Sequence, residues 1–251
     1  MTELRLALRR HVLAQDEGGH AVWREVLECE TVSADRVAII ICDMWDRHWS
    51  RGAAERVDAM APRMDRVVRA TREIGVHIVH APSDTLDFYA DTPARARAQA
   101  APVVAPSTEL AIEAPPLPID DSDEGSDTGE TETVWVWTRQ HPAIEIDHDV
   151  DAITDSGREV YNLLQLWQSE RVLLMGVHTN MCILNRSFGI KQMVRWGVPI
   201  ALVKDLTDTM YNPARSPYVD HNEGTRLVIG YIERFWCPTI LSNDLLVQES
   251  V

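Results

Sequence analysis

The amino-acid sequence predicts an α/β protein with three layers, in which helices cover both faces of a doubly wound, mainly parallel six-stranded sheet. Two observations predict this fold. Apolar, β-branched runs such as VAIIICDM (37–44) and RVLLMGV (171–177) are typical of strands buried on both faces. Segments with helical patterning separate these runs, and alternating strands and helices form right-handed βαβ units around a parallel sheet.

The individual elements follow from the same patterns. Strands are expected at 37–44, 76–83, 134–138, 171–177, 199–206 and 238–244, and helices at 53–75, 155–170, 181–196 and 221–236. Gly75 and Gly197 are expected to end two of these helices, because glycine is the usual residue after a helix C-terminus. Pro62 predicts a break inside the first helix, since proline removes a backbone donor.

Two segments fall outside this alternation. Residues 1–35 are polar with scattered apolar positions and are expected to form an N-terminal helical arm ahead of a single domain at 36–251. Residues 100–133 are rich in Pro, Asp, Glu, Ser and Gly and form an acidic, Pro-rich insertion. This insertion is either a solvated loop or a lid over a pocket, because long loops inside compact domains are often functional.

Charge and cysteine content limit the class of protein. The 251 residues carry a net charge of −15, which argues against nucleic acid and anionic membranes as partners, since both require basic patches. The first residues lack the apolar stretch of a signal peptide, and no segment has the length of a membrane span. Four widely spaced cysteines without a CxxC motif predict reduced thiols in a cytoplasmic protein.

Asp43 is the first candidate site residue. It directly follows the apolar run of the first strand, and sheets of this class bind ligands beyond the carboxyl ends of their strands. A buried carboxylate is costly unless it is paired or functional. Asp43 is therefore either a capping or backbone-bonding residue or a general base whose pKa is set by a poorly solvated pocket.

Cys182 is the second candidate. It lies in GVHTNMCI (176–183), at the first turn of the helix that follows the fourth strand. Unpaired N–H groups and the helix dipole favour an anion there, which predicts a lowered thiol pKa and a site for a developing oxyanion. We therefore interpret Cys182 as a nucleophile, whereas Cys42, inside the first strand, is expected in the core.

Neither a cofactor nor a metal ion is predicted. The sequence contains no GxGxxG, GxxxxGK[ST], GxSxG or HExxH motif. His77 and His80 are three apart on a predicted strand and point to opposite faces. Asp46 and His48 could bind a metal, but the sequence offers no third ligand in register with them.

Three segments together resemble the isochorismatase-like cysteine hydrolases, the superfamily that includes nicotinamidases. They are IIICDMWDRHW (39–49), the block GVHTNMCILNR (176–186) and PIALVKDLTDT (199–209), and the likeness extends over residues 36–243. The resemblance implies a hydrolase domain at 36–251 with six parallel strands in Rossmann-like order. It also implies an Asp–Lys–Cys triad with Cys182 as nucleophile and Asp43 as base.

The resemblance carries further expectations for the site. It implies a cis peptide bond between Val177 and His178, which would turn the N–H groups of His178 and Cys182 toward the oxyanion. The zinc ligands of nicotinamidases are not reproduced in HAPSDTLDFYAD (80–91).

The family's lysine has no counterpart at its usual place, which is WTRQHPAIEI (137–146) here. Thr138 or Arg139 occupies the position. Arg139 could supply the positive charge, although arginine is a poor proton carrier, and His141 could carry protons instead.

Aromatic and histidine side chains near the predicted strand ends form a candidate substrate rim. They would suit a small planar or apolar substrate, or they could be packing residues. The rim residues are Trp45, His48, Trp49, Tyr89, Trp137, His141, His178 and Tyr211.

The expected function is hydrolysis of a small amide, ureide or related C–N bond through a thioester on Cys182. Two alternatives remain at this stage. One is vinyl-ether hydrolysis of the isochorismate type, and the other is a non-catalytic small-molecule-binding relative, because the lysine is absent. The resemblance also implies a homodimer or a higher homo-oligomer.

Overall fold

A computed structural model describes residues 2–107 and 109–246, and it contains one eight-stranded sheet. The strands are β1 (Glu3–Gln15), β2 (Ala21–Ser33), β3 (Val37–Cys42), β4 (His77–Ala81), β5 (Ala152–Ile153), β6 (Arg171–Val177), β7 (Ile200–Asp208) and β8 (Thr239–Ile240). Their order across the sheet is β2-β1-β8-β7-β6-β3-β4-β5. The six strands from β3 to β8 are parallel and follow the Rossmann-like order, which confirms the predicted fold class.

Helices cover both faces of this sheet. They are α1 (Arg51–Glu73), α2 (Pro93–Ala100), α3 (Gly157–Leu166), α4 (Cys182–Asn185), α5 (Ile190–Arg195), α6 (His221–Phe235) and α7 (Asn243–Leu246). The side chains of Ser50, Ser156 and Asp220 cap α1, α3 and α6, each accepting a backbone N–H three residues later. No helix in the described ranges is long and apolar enough to cross a membrane.

Two helix predictions need correction. Pro62 lies inside α1, which continues through it without a break. The helix predicted at 181–196 is two short helices, α4 and α5, because the chain leaves helical geometry at Arg186.

The predicted N-terminal helical arm is wrong, because β1 and β2 form a long antiparallel hairpin instead. Leu4, Leu6 and Leu8 are buried and alternate with exposed or half-buried residues, which is the period of a strand with one buried face. The hairpin joins the parallel sheet where β1 pairs with β8 in antiparallel orientation.

The strand predicted at 134–138 is also wrong. This segment is irregular, with Trp135 68% exposed, and the edge strand beside β4 is β5. The β-branched and aromatic residues of VWVWT suit a strand, but strand propensity is decided by packing partners, and here the tryptophans pack on other side chains.

The insertion packs against the domain over its described part, residues 100–107 and 109–133. Ile119 is buried in the main core. Asp121 Oδ2 accepts a hydrogen bond from Asn180 Nδ2 at 2.8 Å, which ties the insertion to the loop after β6. A purely solvated loop would not make these contacts, so the insertion is packed on the domain, and its part around Asp121 lies against the loop after β6.

The hairpin leads to a test of stability. We expect Leu6→Ala to lower the free energy of unfolding by about 2 to 5 kcal/mol, because it opens a cavity in a fully buried site. Arg5→Ala, at the exposed neighbouring position of the same strand, should change it by less than about 0.5 kcal/mol. Urea unfolding of both variants measures this difference, and equally small effects would show that the hairpin adds nothing to the core.

Candidate active site

Asp43 lies immediately after β3, at the point between β3 and β6 where the winding of the sheet reverses. Its side chain is fully buried, and its backbone has a φ of 49°, a conformation that residues other than glycine rarely adopt. The carboxylate accepts the Ser83 backbone N–H at 2.8 Å and Arg186 Nε at 3.0 Å. The buried carboxylate of Asp43 is thus compensated by a neutral donor, the Ser83 N–H, and by the positive charge of Arg186.

Cys182 is the first residue of α4 and reaches the same carboxylate. The Asp43 carboxylate raises the pKa of the Cys182 thiol and the backbone N–H of His178 lowers it, so both groups lie close to the sulfur. The Val177–His178 peptide bond is cis, as the resemblance implies. The structure therefore brings together Asp43, Cys182 and the His178 N–H that the sequence places at the site.

The electrostatics of the pair differ from the expected lowered thiol pKa. Burial raises the pKa of Cys182, and the charge of Asp43 raises it further. Burial also raises the pKa of Asp43, against the opposing effect of Arg186. Because α4 has only four residues and a carboxylate faces the sulfur, the helix terminus does not lower the thiol pKa below its ordinary value. The resting cysteine is therefore a neutral thiol, and Asp43 beside it is a stronger base than an exposed carboxylate.

Arg186 is the site residue that the sequence interpretation missed. It follows Cys182 by four residues, and its backbone N–H bonds to the Cys182 carbonyl, so both side chains project from the same face of the turn. Its guanidinium bridges Asp43 at 3.0 Å and Asp84 at 3.1 Å. Burial lowers the pKa of Arg186, but the carboxylate of Asp43 outweighs burial and raises it.

The three residues proposed for the lysine's place lie elsewhere. Thr138 donates to Asp46 at 2.7 Å, and His141 Nε2 lies 2.8 Å from Asp58 Oδ1. The Arg139 guanidinium lies 5.4 Å from the centre of the Phe88 ring. Assigning the cation to Arg139 is therefore wrong, since the cation that contacts Asp43 is Arg186.

Five of the predicted rim residues form one aromatic cluster. Trp45 and Trp137 stack with ring centroids 4.4 Å apart. His48 lies 4.9 Å from His178 and 5.4 Å from Trp49. A cavity lined by Asp43, Trp45 and His48 opens beside this cluster.

Two other predicted rim residues have structural roles. Tyr211 is fully buried in the core beneath Gly224, where an added Cβ would lie 2.2 Å from its ring, and its hydroxyl donates to the Arg215 carbonyl. Tyr89 is also buried, and its hydroxyl accepts the Gln140 backbone N–H at 2.8 Å. The prediction that Tyr211 binds substrate is therefore wrong.

The two histidines of the cluster are neutral near pH 7. Burial lowers the pKa of His48 to about 4 and that of His178 to about 3. His48 Nδ1 accepts the Ser50 backbone N–H, so its proton is on Nε2. His178 Nε2 and Trp137 Nε1 are buried without a partner among the described residues, and such atoms are expected to bond to water or a ligand.

The possible metal pair of Asp46 and His48 does not form a centre. The Asp46 carboxylate is bonded to Thr138, and His48 Nδ1 accepts the Ser50 N–H. Within residues 2–107 and 109–246, no group of three or more His, Cys, Asp or Glu side chains could hold a metal ion.

A second charged cluster anchors the insertion beside the site. Arg56 bonds to Asp127 and Asp208, both at 2.8 Å. His221 Nε2 lies 2.9 Å from Asp208, and its Nδ1 lies 3.0 Å from the Tyr211 carbonyl oxygen. Because both ring nitrogens face acceptors, the charged form of His221 is favoured. Burial lowers its pKa, but the hydrogen bond to Asp208 and the charge of that carboxylate together raise it above its ordinary value.

Comparison with known proteins supports the fold. No protein-family model matches the chain, and no curated protein matches it. A cysteine hydrolase from Pseudomonas syringae pv. phaseolicola 1448A has a similar structure, with a TM-score of 0.51 and 15% identity over 86% of this chain and 92% of that one. At this identity the likeness concerns the fold, and it confirms the fold that the sequence motifs imply.

Two further solved structures are similar at lower scores. An isochorismatase from Pseudomonas putida KT2440 has a TM-score of 0.49 and 11% identity over 84% of this chain and 91% of that one. A nicotinamidase from Bacillus subtilis has a TM-score of 0.43 and 18% identity over 86% of this chain and 100% of that one.

The raised pKa of His221 predicts how stability depends on pH. The ion pair with Asp208 should stabilise the fold fully below the unfolded-state pKa of about 6.5, and this contribution should be lost as pH rises through the higher folded-state pKa. The stability difference between the wild type and His221→Asn should therefore shrink between pH 6 and pH 9, as measured by urea unfolding. His20→Asn, in an exposed pair with Asp16, is the control and should show little difference at any pH. A difference that grows with pH would contradict a charged His221.

Proposed function

We propose that this chain is a cysteine hydrolase that cleaves the C–N bond of a small amide, ureide or related compound through a thioester. The observation that supports it is the Asp43 carboxylate, which is bonded to the Arg186 guanidinium at 3.0 Å and lies close enough to the Cys182 thiol to raise its pKa. A nucleophile, a base and a fixed counter-charge in contact are what acyl transfer requires.

In the proposed first step, Cys182 Sγ attacks the substrate carbonyl carbon while its proton passes to Asp43. The raised pKa of Asp43 makes it a better proton acceptor than an exposed carboxylate. The N–H groups of His178 and Cys182 would stabilise the oxyanion. Asp43 then gives its proton to the leaving nitrogen as the C–N bond breaks, leaving a thioester on Cys182.

In the second step, water attacks the thioester carbonyl and Asp43 takes a proton from it. The C–S bond breaks, the carboxylic acid leaves, and the proton returns to Cys182. Arginine stays protonated throughout, so Arg186 would act only by its charge and every proton transfer would pass through Asp43. The absence of a lysine therefore changes which group moves protons without removing the positive charge.

The site supports a small, uncharged and planar substrate. The aromatic cluster provides flat surfaces, and both His48 and His178 are neutral. The non-catalytic alternative depended on a missing cation, and Arg186 provides one. The vinyl-ether alternative does not require an intact nucleophile beside a base, so the proximity of Cys182 to Asp43 favours the thioester route.

The test is a screen of small amides, ureides and isochorismate-like compounds with wild-type protein and four variants. We expect Cys182→Ala to lower turnover of any amide substrate by at least about 10³-fold, because the nucleophile is lost. Arg186→Gln should lower kcat/KM by about 10²- to 10³-fold, because a preorganised charge is removed, and Arg186→Lys should retain more activity than Arg186→Gln.

Arg139→Gln is the matched control and should keep near wild-type activity. Intact-mass detection of an acyl adduct on Cys182 identifies the intermediate. A large drop in kcat/KM in Arg139→Gln, with no drop in Arg186→Gln, would overturn the assignment of the cation to Arg186. Turnover that survives in Cys182→Ala would overturn the thioester mechanism.

A further inference from the structure

The β1–β2 hairpin places one long strand at the edge of the sheet, and the outer side of this strand has no partner strand among the described residues. Strand β2 pairs with β1 over its whole length of 13 residues without a register shift, and within the described chain it is the last strand on that side. Its sequence AVWREVLECETVS contains no Pro, Gly or Lys. Proteins protect exposed edges with such residues or with bulges, so the outer edge of β2 is open to pairing with another strand.

The acidic side chains of β2 have partners within the chain. Arg9 binds Glu25 at 3.2 Å, and Arg10 binds Glu28 at 2.9 Å. Glu30 is paired with Arg171. The charges on the strand therefore do not protect its edge as unpaired glutamates would.

Exposed apolar side chains accompany this edge. Trp23 and Leu27 lie on the same face of β2 and are 41% and 61% exposed. Phe235 of α6, 40% exposed, contacts Trp23 with ring centroids 5.6 Å apart. An apolar strip next to an open strand edge indicates an interaction surface.

We propose that β2 pairs with β2 of a second copy of this chain, antiparallel and centred on Leu27, so that two eight-stranded sheets join into one. Residues equally distant from Leu27 then face each other. Leu27 faces the partner's Leu27, and Arg24 faces the partner's Glu30. This arrangement covers Leu27 and adds an opposite-charge pair on each side of it.

Neighbouring registers are less favourable. Centring the pair on Glu25 or Glu28 places a glutamate directly opposite its own copy, which is destabilising. Centring it on Val26 places Leu27 opposite a glutamate. The Leu27 register joins the most exposed large apolar side chain of β2 to its own copy and also places opposite charges on both sides.

The interface leaves the candidate active site open. Asp43 and Cys182 lie at the end of β3 and beside β6, whereas β2 lies beyond β1, β8 and β7 in the sheet. The pairing therefore does not depend on the proposed hydrolase activity, and either proposal can fail without the other.

Light scattering on the whole chain tests the oligomeric state. We expect a mass of twice 28.3 kDa for the wild type. Leu27→Lys should give a monomer at the same concentration, because two ammonium groups would meet at the centre. Arg5→Glu, an exposed charge change on β1 away from the edge, should remain a dimer.

A cysteine cross-link tests the register. In a Cys29→Ser background, Leu27→Cys should form a reducible dimer on mild oxidation, because directly opposed residues lie within disulfide range. Val22→Cys in the same background should not, since Val22 faces the partner's Val32. A monomeric wild type would overturn the proposal, and so would a dimer in which Leu27→Cys does not cross-link.

Discussion

The ion pair between Asp43 and Arg186 is the interaction on which the candidate site depends. A carboxylate with no exposed surface costs several kcal/mol unless it is compensated, and here a guanidinium at 3.0 Å and a backbone N–H at 2.8 Å compensate it. The charge of the same carboxylate raises the pKa of the Cys182 thiol. Because Arg186 follows Cys182 by one helical turn, a single short segment supplies both the proposed nucleophile and the charge that opposes the effect of burial on the Asp43 pKa.

The sheet provides the close approach that this arrangement needs. Strands β3 and β6 are parallel neighbours, so Asp43 and the segment leading to Cys182 emerge at the same edge. Gly176 has a φ of 117°, and a Cβ there would lie 2.0 Å from the Cys42 carbonyl oxygen, so only glycine allows the strand ends to lie so close. The insertion and the cluster of Arg56, Asp208 and His221 then hold the loops beyond these strand ends.

Much of this could be predicted from the sequence, because buried parallel strands carry a strong hydrophobic signal and Asp43 and Cys182 are fixed to strand ends. The sequence predicts a helical arm instead of the hairpin, because the leucines of β1 stand among charged residues and resemble a polar segment with scattered apolar positions. The segment VWVWT has strand propensity but no partner strand, and whether a segment finds a partner strand is decided by tertiary packing. Arg186 lay inside the block that identified Cys182; the signal that could have found it was its i, i+4 spacing, but its contact with Asp43 is between residues 143 positions apart.

The pH dependence of alkylation at Cys182, followed by peptide mass spectrometry, tests the central claim most directly. In the wild type the alkylation rate should still be rising above pH 9.0, the pKa of an unperturbed cysteine thiol, because burial and the negative charge of Asp43 raise the thiol pKa. Asp43→Asn should shift the curve to lower pH, and Arg186→Gln should shift it to higher pH, since these changes remove opposite charges. A plateau below pH 9 in the wild type, or no shift in Asp43→Asn, would contradict an ionised Asp43 held beside the thiol by Arg186.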